Sequence, residues 1–274
     1  MERILLIETS TALCSAALAE DGAITAYKES SAPKAHASLT AVFIQEMLAE
    51  RGLTLADCDA VCVSMGPGSY TGLRVGVSTA KGLCFGAGKP LLAVGTLDTL
   101  VAQAMEEIPG QAGNDGQTVI PCNNGNDTPS NGIHGNVIPD LIGDPRFIIP
   151  MIDARRMEVY TAVFTSTPSV IPSEAEGSLR YVQITETAPV IIDKNSFAEY
   201  LEQGPVLFIG DGAGKCADVI RHPNARFCQC HPKASSMLAP AIVQLRAGNF
   251  QDVAYFEPFY LKEFVATVSK KKLW

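Results

Sequence analysis

Two stretches of the same design punctuate this chain. In the first, Ala60-Val61-Cys62-Val63 is a short apolar run rich in β-branched residues and reads as a buried strand. The run Ser64-Met65-Gly66-Pro67-Gly68-Ser69-Tyr70-Thr71-Gly72 turns it, and Val77, Ala80, Lys81 and Cys84 then recur at helical spacing between Val75 and Phe85. In the second, Val206-Leu207-Phe208-Ile209 is closed by Gly210-Asp211-Gly212-Ala213-Gly214 and followed by a helical pattern from Lys215 to Arg221. Gly66, Gly68 and Gly72 permit backbone angles that other residues resist, and Ser69 or Thr71 can cap the helix that follows. Such a helix start gathers unpaired N–H groups that suit a phosphate or another anion. The spacing matches neither the P-loop nor the dinucleotide fingerprint, so an anion site and a tight packing turn both remain open.

The remaining pattern repeats around these two units. Arg3 to Glu8 reads as a strand ending in a carboxylate, followed by strands at Cys14–Ala19 and Ala23–Glu29 around an Asp21-Gly22 hairpin turn. Ser38 is expected to cap a helix to about Arg51, with Leu39, Val42, Phe43, Met47 and Leu48 along its core side and Ala41, Ile44 and Leu48 off the main stripe. After the first glycine unit come a short strand at Leu91–Val94 and a helix from Thr96 or Asp98 to Glu107. The second half opens with Phe147 to Asp153, again a strand ending in an acid, then strands at Glu158–Phe164 and Tyr181–Ile184. A helix capped by Asn195 or Ser196 runs to Gln203; Ala225–Gln229 is a short strand, and a long helix from Ser235 or Ser236 reaches Ala247. This order predicts two mixed-sheet α/β lobes of five strands each with a cleft between them, the duplicated layout of the actin, sugar-kinase and Hsp70 class (ASKHA, RNase H-like). Glu8 and Asp153 then face the cleft, beside the glycine turns.

Residues 1–108 thus form an N-terminal lobe and 147–274 a C-terminal lobe. Between them, 109–146 is dominated by Asn, Gly, Asp and Pro without periodicity, and reads as a mobile linker or insertion. A smaller insertion falls at 166–178. The net charge of −8 does not advertise nucleic-acid binding; if RNA is involved, a partner supplies most of the positive field. No apolar run approaches a membrane span, and the start at Met1 does not read as a signal peptide. The eight scattered cysteines are expected as reduced, buried thiols in a cytoplasmic protein. Cys228-x-Cys230-His231, with His222 nearby, has metal-ligand character, but its spacing fits no standard zinc knuckle and no metal is assigned.

Four stretches together carry a family: Ile7-Glu8-Thr9-Ser10, the glycine stretch Gly66 to Gly76, Asp153-Ala154-Arg155-Arg156-x-Glu158-Val159-Tyr160, and Pro258-x-Tyr260-Leu261-Lys262. They resemble the TsaB (YeaZ) family, of the glycoprotease-like superfamily, over nearly the whole chain outside the two insertions. The resemblance implies a noncatalytic paralogue of TsaD, the subunit that transfers a threonylcarbamoyl group to an adenosine of tRNA. TsaD-type proteins hold a metal through a histidine pair on a helix that corresponds to Thr96–Glu107, and this stretch contains no histidine. No catalytic residue is therefore assigned, and nothing in the residues supports peptide hydrolysis.

The resemblance further implies a TsaD-like partner bound through the two N-lobe helices, Ser38–Arg51 and Leu73–Phe85, with Leu39, Thr40, Phe43, Ile44, Met47, Leu73, Arg74, Val77, Ala80 and Lys81 as candidate contacts. A TsaE-like ATPase joins through the complex, tRNA indirectly, and a homodimer is open when the partner is absent. The bulkier Glu8-Thr9-Ser10-Thr11 turn lacks the glycine that an ATP site of this class uses. Weak ATP or ADP binding by Glu8, Thr9, Ser10, Gly66, Gly68, Ser69, Gly210, Asp211 and Gly212 is thus expected to be vestigial, and no cofactor is required. The rival readings are a small-molecule kinase or ATPase of the same fold, and a metalloprotease. Arg74 can anchor a phosphate or pair with an acid such as Glu8; Arg155-Arg156 and the Lys270-Lys271-Lys272 tail can contact RNA or stay solvated.

Overall fold

A computed structural model describes residues 2–107, 145–168 and 179–262. The linker 109–146 falls outside the described residues but for its last two, as do the greater part of the 166–178 insertion and the lysine tail. In the first half, β1 (Arg3–Glu8), β2 (Cys14–Glu20), β3 (Ala23–Ser30), β4 (Ala60–Gly66) and β5 (Leu91–Gly95) form one sheet in the order β3-β2-β1-β4-β5. Strand β2 runs antiparallel to β1 and β3 antiparallel to β2, while β4 and β5 run parallel to β1. This mixture follows from the connections. Asp21-Gly22 is too short for anything but a hairpin, and the parallel strands are reached through helices.

The second half repeats the path. Here β6 (Phe147–Asp153) pairs antiparallel with β7 (Glu158–Thr161), which pairs with β10 (Ala188–Ile191). On the other side, β6 runs parallel to β11 (Val206–Ile209), and β11 to β12 (Ala225–Cys228). Two additional strands, β8 (Phe164–Pro168) and β9 (Leu179–Gln183), join at the start of β6 and raise the sheet to seven. The single strand expected over Glu158–Phe164 is therefore two, and Val163 leaves the ladder and donates its N–H to Thr185 Oγ1 at 2.8 Å instead. Strand β10 has no expectation behind it: Pro189 and only four residues give almost no period to read.

Helix α1 (Ala35–Glu50) starts three residues before Ser38, with left-handed Lys34 as its N-cap. Ser38 is inside the helix and donates to Lys34 O. Its buried stripe is Thr40, Ile44, Met47 and Leu48, while Val42 is 39% exposed. Ile44 is thus core, contrary to its expected place off the stripe, and Leu48, expected on both sides, is core as well. The stripe is anchored by Thr40, whose hydroxyl is satisfied by His36 O at 2.6 Å and so tolerates burial. Helix α2 (Tyr70–Ala87) is capped by Ser69, whose Oγ accepts from Gly72 N–H, and ends on left-handed Gly88. Helix α3 is Thr96–Glu107, as expected. Helices α4 (Ala198–Leu201) and α5 (Ala213–Ala217) are single turns, and a 3₁₀ turn at Ser235–Met237 leads into α6 (Leu238–Ala247).

Two helices pack across the halves. Leu97, Leu100, Val101 and Ala104 of α3 lie against Ile148 and Ile152 of β6 and Leu207 and Ile209 of β11. In return Met237 and Ala241, with Ala234 before them, pack on Ile4, Leu6, Cys62, Leu92 and Val94 of the first sheet. Each half thus seals one face of the other. A C-terminal strap then runs back over the first half: Gln251 bridges to Leu91, Val253 and Phe256 join the first core, and Phe259 N–H donates to Met65 O at 2.7 Å.

Candidate functional site

The end of β1 and the first glycine turn are locked together. Ser69 N–H donates to Ser10 O at 2.6 Å, and Thr9 Oγ1 donates to Gly72 O at 2.9 Å. A Cβ on Gly68 would lie 2.3 Å from Ser10 O, and one on Gly72 2.1 Å from Thr9 O. The glycines therefore let the Thr9-Ser10 backbone sit on the start of α2, as the tight-packing reading of this turn requires. The place where a phosphate would meet the helix is occupied by Ser10 O, and Gly72 N–H is engaged by the Ser69 cap. At the second turn Gly212 N–H donates to Met151 O at 2.9 Å and Gly214 N–H to Gln229 Oε1 at 2.5 Å, while Gly210 backs onto Met151 O. At both turns these N–H groups are therefore already engaged within the chain.

Glu8 does not reach the cleft. It is fully buried; its Oε1 accepts from Ser10 N–H at 2.6 Å, while its Oε2 and Ser10 Oγ find no partner among the described residues. Burial pushes its carboxyl up to about 7, against the hydrogen bonds from Ser10 that favour the charged form. Asp153 is the accessible acid: Lys215 pairs with it, and Arg155 N–H donates to it at 2.8 Å. Asp211 Oδ1 accepts from Asp153 N–H at 2.8 Å, and burial raises its carboxyl to about 6.

The cleft itself is bridged by Thr11, on which the sequence alone placed no weight. Thr11 O takes a contact from His36 Nε2 at 2.8 Å, and Thr11 Oγ1 lies 3.2 Å from His231 Nδ1. The same nitrogen of His231 is 3.9 Å from Asp211 Oδ2, and burial lowers the imidazole's affinity for a proton. Because both partners face one nitrogen, this is a structural bridge and lacks the two-sided geometry of a catalytic triad. Cys228 and Cys230 point into the second core, and no group of three metal-ligating side chains occurs among the described residues.

Of the ten candidate partner contacts, Thr40, Ile44, Met47, Leu73, Val77 and Ala80 are at most 4% exposed and pack within the chain's own core. They support the surface from below. Lys81 is held by the strap, donating to Ala254 O and Phe256 O. Leu39, Phe43 and Arg74 remain accessible. Between α1 and α2 lies an open groove of about 640 Å³, lined by Ala37, Thr71, Arg74, Ser78 and their neighbours. Arg74 makes no contact with Glu8; its guanidinium lies 5.5 Å from the Tyr70 ring centroid and donates to Tyr70 OH.

Comparison with known proteins bears on the same elements. A family profile for TsaD, tRNA N6-adenosine threonylcarbamoyltransferase, matches residues 29–115. The tRNA threonylcarbamoyladenosine biosynthesis protein TsaB of Escherichia coli (strain K12) is 40% identical over 102 residues, 37% of this chain and 44% of that protein. TsaB of Haemophilus influenzae is 42% identical over 105 residues, 38% and 44% of the two. The fold matches YeaZ from Pseudomonas aeruginosa with a TM-score of 0.69 at 22% identity, over 95% of this chain and all of that one. Over the stretches matched in sequence the chain is similar to the TsaB (YeaZ) proteins. Its aligned stretch spans less than half the length of the curated TsaB relatives. The duplicated actin-like fold is the one seen in YeaZ, and no described helix is long and apolar enough to cross a membrane.

Proposed function

We propose that this chain is a noncatalytic partner subunit in the making of threonylcarbamoyladenosine in tRNA, and that it binds and activates a TsaD-like transferase. The observation that carries this reading is the outer face of α1 and α2. These two helices pack on one another and on the first sheet through their buried stripes, yet turn small and apolar side chains outward. Ala41, Ser78 and Gly82 are exposed, Val42 is 39% exposed and Phe85 84%. Small residues beside the groove let another helix approach closely, and an exposed Phe gives it something to cover. The likeness to TsaD and to TsaB proteins of threonylcarbamoyladenosine biosynthesis supports a TsaD-like protein as that partner. A TsaE-like ATPase and tRNA then come through that partner, and the seven cysteines among the described residues, all buried, suit a reducing compartment such as the cytoplasm.

Light-scattering chromatography of this chain with the TsaD-like protein of the same organism tests the reading. A one-to-one complex is expected, lost in the doubly charged variant Ala41→Glu, Ser78→Arg, while that variant keeps the melting temperature of the parent. Independent elution of the two parent proteins overturns it. The chain alone, run beside them, shows whether this face also makes a homodimer.

A further inference from the structure

One strip of the surface has basic and aromatic side chains in alternation, and it crosses from one half to the other. It begins at the start of α2, where Arg74 lies over Tyr70. Tyr70 meets Tyr260 of the strap, ring centroids 4.7 Å apart. Two residues on, Lys262 sits 6.0 Å from the centroid of Tyr160 on β7 and pairs with Glu158. The β6–β7 turn, three residues before Glu158, ends the strip with Arg155 and Arg156. Among the described residues, Arg74, Arg155 and Arg156 are exposed and none forms an ion pair with a carboxylate.

The turn adds a second observation. Arg155 and Arg156 both hold positive φ, 70° and 51°, where Gly, Asn or Asp would sit with less strain. Two successive arginines in that conformation are costly for the fold; the backbone of Arg155 bonds to Asp153 Oδ1 and Glu158 N–H, but neither guanidinium forms an ion pair among the described residues. Strain of this kind gathers where a surface serves a ligand. Two of the acids nearby are already paired, Glu158 with Lys262 and Asp153 with Lys215, and Glu257 is the exposed acid beside Tyr260 that the strip carries.

We infer that this strip binds a single-stranded segment of RNA. An acidic protein surface would use the cations and leave the tyrosines idle. A nucleic-acid strand uses both, its phosphates meeting the guanidinium groups and its bases stacking on ring faces. The strip is a local exception on a chain of net charge −8, so it selects a position rather than giving general affinity for polyanions. The inference goes beyond the partner-subunit reading and is tested without the partner.

The test is fluorescence anisotropy of the full chain with a short fluorescein-labelled single-stranded RNA, from about 50 to about 200 mM salt. Oligoglutamate serves as the acidic-protein probe. Binding that weakens with salt is expected. The variant Arg155→Asn, Arg156→Asn lowers the slope of log affinity against log salt by about 1.4, two phosphate contacts' worth on a single strand. Tyr260→Leu weakens RNA binding at least about fivefold and leaves the slope in place. Asn tolerates positive φ, so the double variant melts no lower than the parent, and a fold defect cannot pass for lost binding. No measurable RNA binding, an unchanged affinity in the double variant, or oligoglutamate bound as well as RNA with Tyr260→Leu silent each overturns the inference, the last in favour of an acidic protein.

Discussion

Glu8 is the residue whose environment has the largest energetic consequence. Its carboxyl is raised from 4.5 to about 7 because the fold strips it of water. Below about pH 4.5 both folded and unfolded forms are protonated and Glu8 has no effect on stability. Between 4.5 and 7 the unfolded chain releases the proton while the folded chain keeps it, so stability falls as pH rises; above 7 the loss is complete, at about 3 kcal/mol. Glu8→Gln keeps an acceptor for Ser10 N–H and has no charge to bury. Chemical denaturation across this range is expected to show Gln gaining on Glu from pH 4.5 to 7 and holding its lead above; parallel curves would contradict a buried, raised carboxyl. The sequence placed Glu8 at a strand end, and that is where it lies. Its burial was not legible, because it depends on Thr9-Ser10 folding onto the glycine turn, a contact between segments some sixty residues apart.

Among the elements, α1 has the weakest start. Lys34 takes φ 65° and its side chain makes no capping bond. Lys34→Asn relieves a left-handed residue and is expected to raise stability by about 0.5–1 kcal/mol in thermal or urea unfolding. An equal loss would mean that Lys34 has a contact worth more than its strain. The helix was readable as a helix from its apolar residues, but its start was not. Ser38 is a good cap by residue type, and nothing local says that the chain instead turns one step earlier, where Ala35 is buried against the fold. The same limit applies to β8, β9 and β10. They are short and fixed by pairing, β8 on β6, β9 on β8 and β10 on β7; only β9 has an expected counterpart, at Tyr181–Ile184. By contrast β1, β4, β6 and β11, buried on both faces, are runs of Ile, Leu, Val and Phe that no other element explains, and their register follows.

At the scale of the molecule, the repeat of strand order was legible because turn chemistry and hydrophobic period recur in both halves. The exchange of helices was not. An amphipathic stripe on α3 states that the helix must be covered, and not by which sheet. The exchange predicts a crossed response. Met237→Ala removes a fully buried side chain from the first sheet's core, at a cost of about 2–5 kcal/mol. Hydrogen exchange should quicken in β1, β4 and β5, far away in sequence; quickening confined to β11 and β12 would refute the exchange.

That arrangement also bears on how the chain is made. During synthesis the first sheet leaves the ribosome with one face bare, and the residues that close it, Met237 and Ala241, follow only after nearly the whole of the second half has been translated. Until then Ile4, Leu6 and Leu92 offer an open apolar surface to whatever is nearby. A nascent chain cut short in its second half is therefore a client for chaperones and proteases rather than a small working lobe.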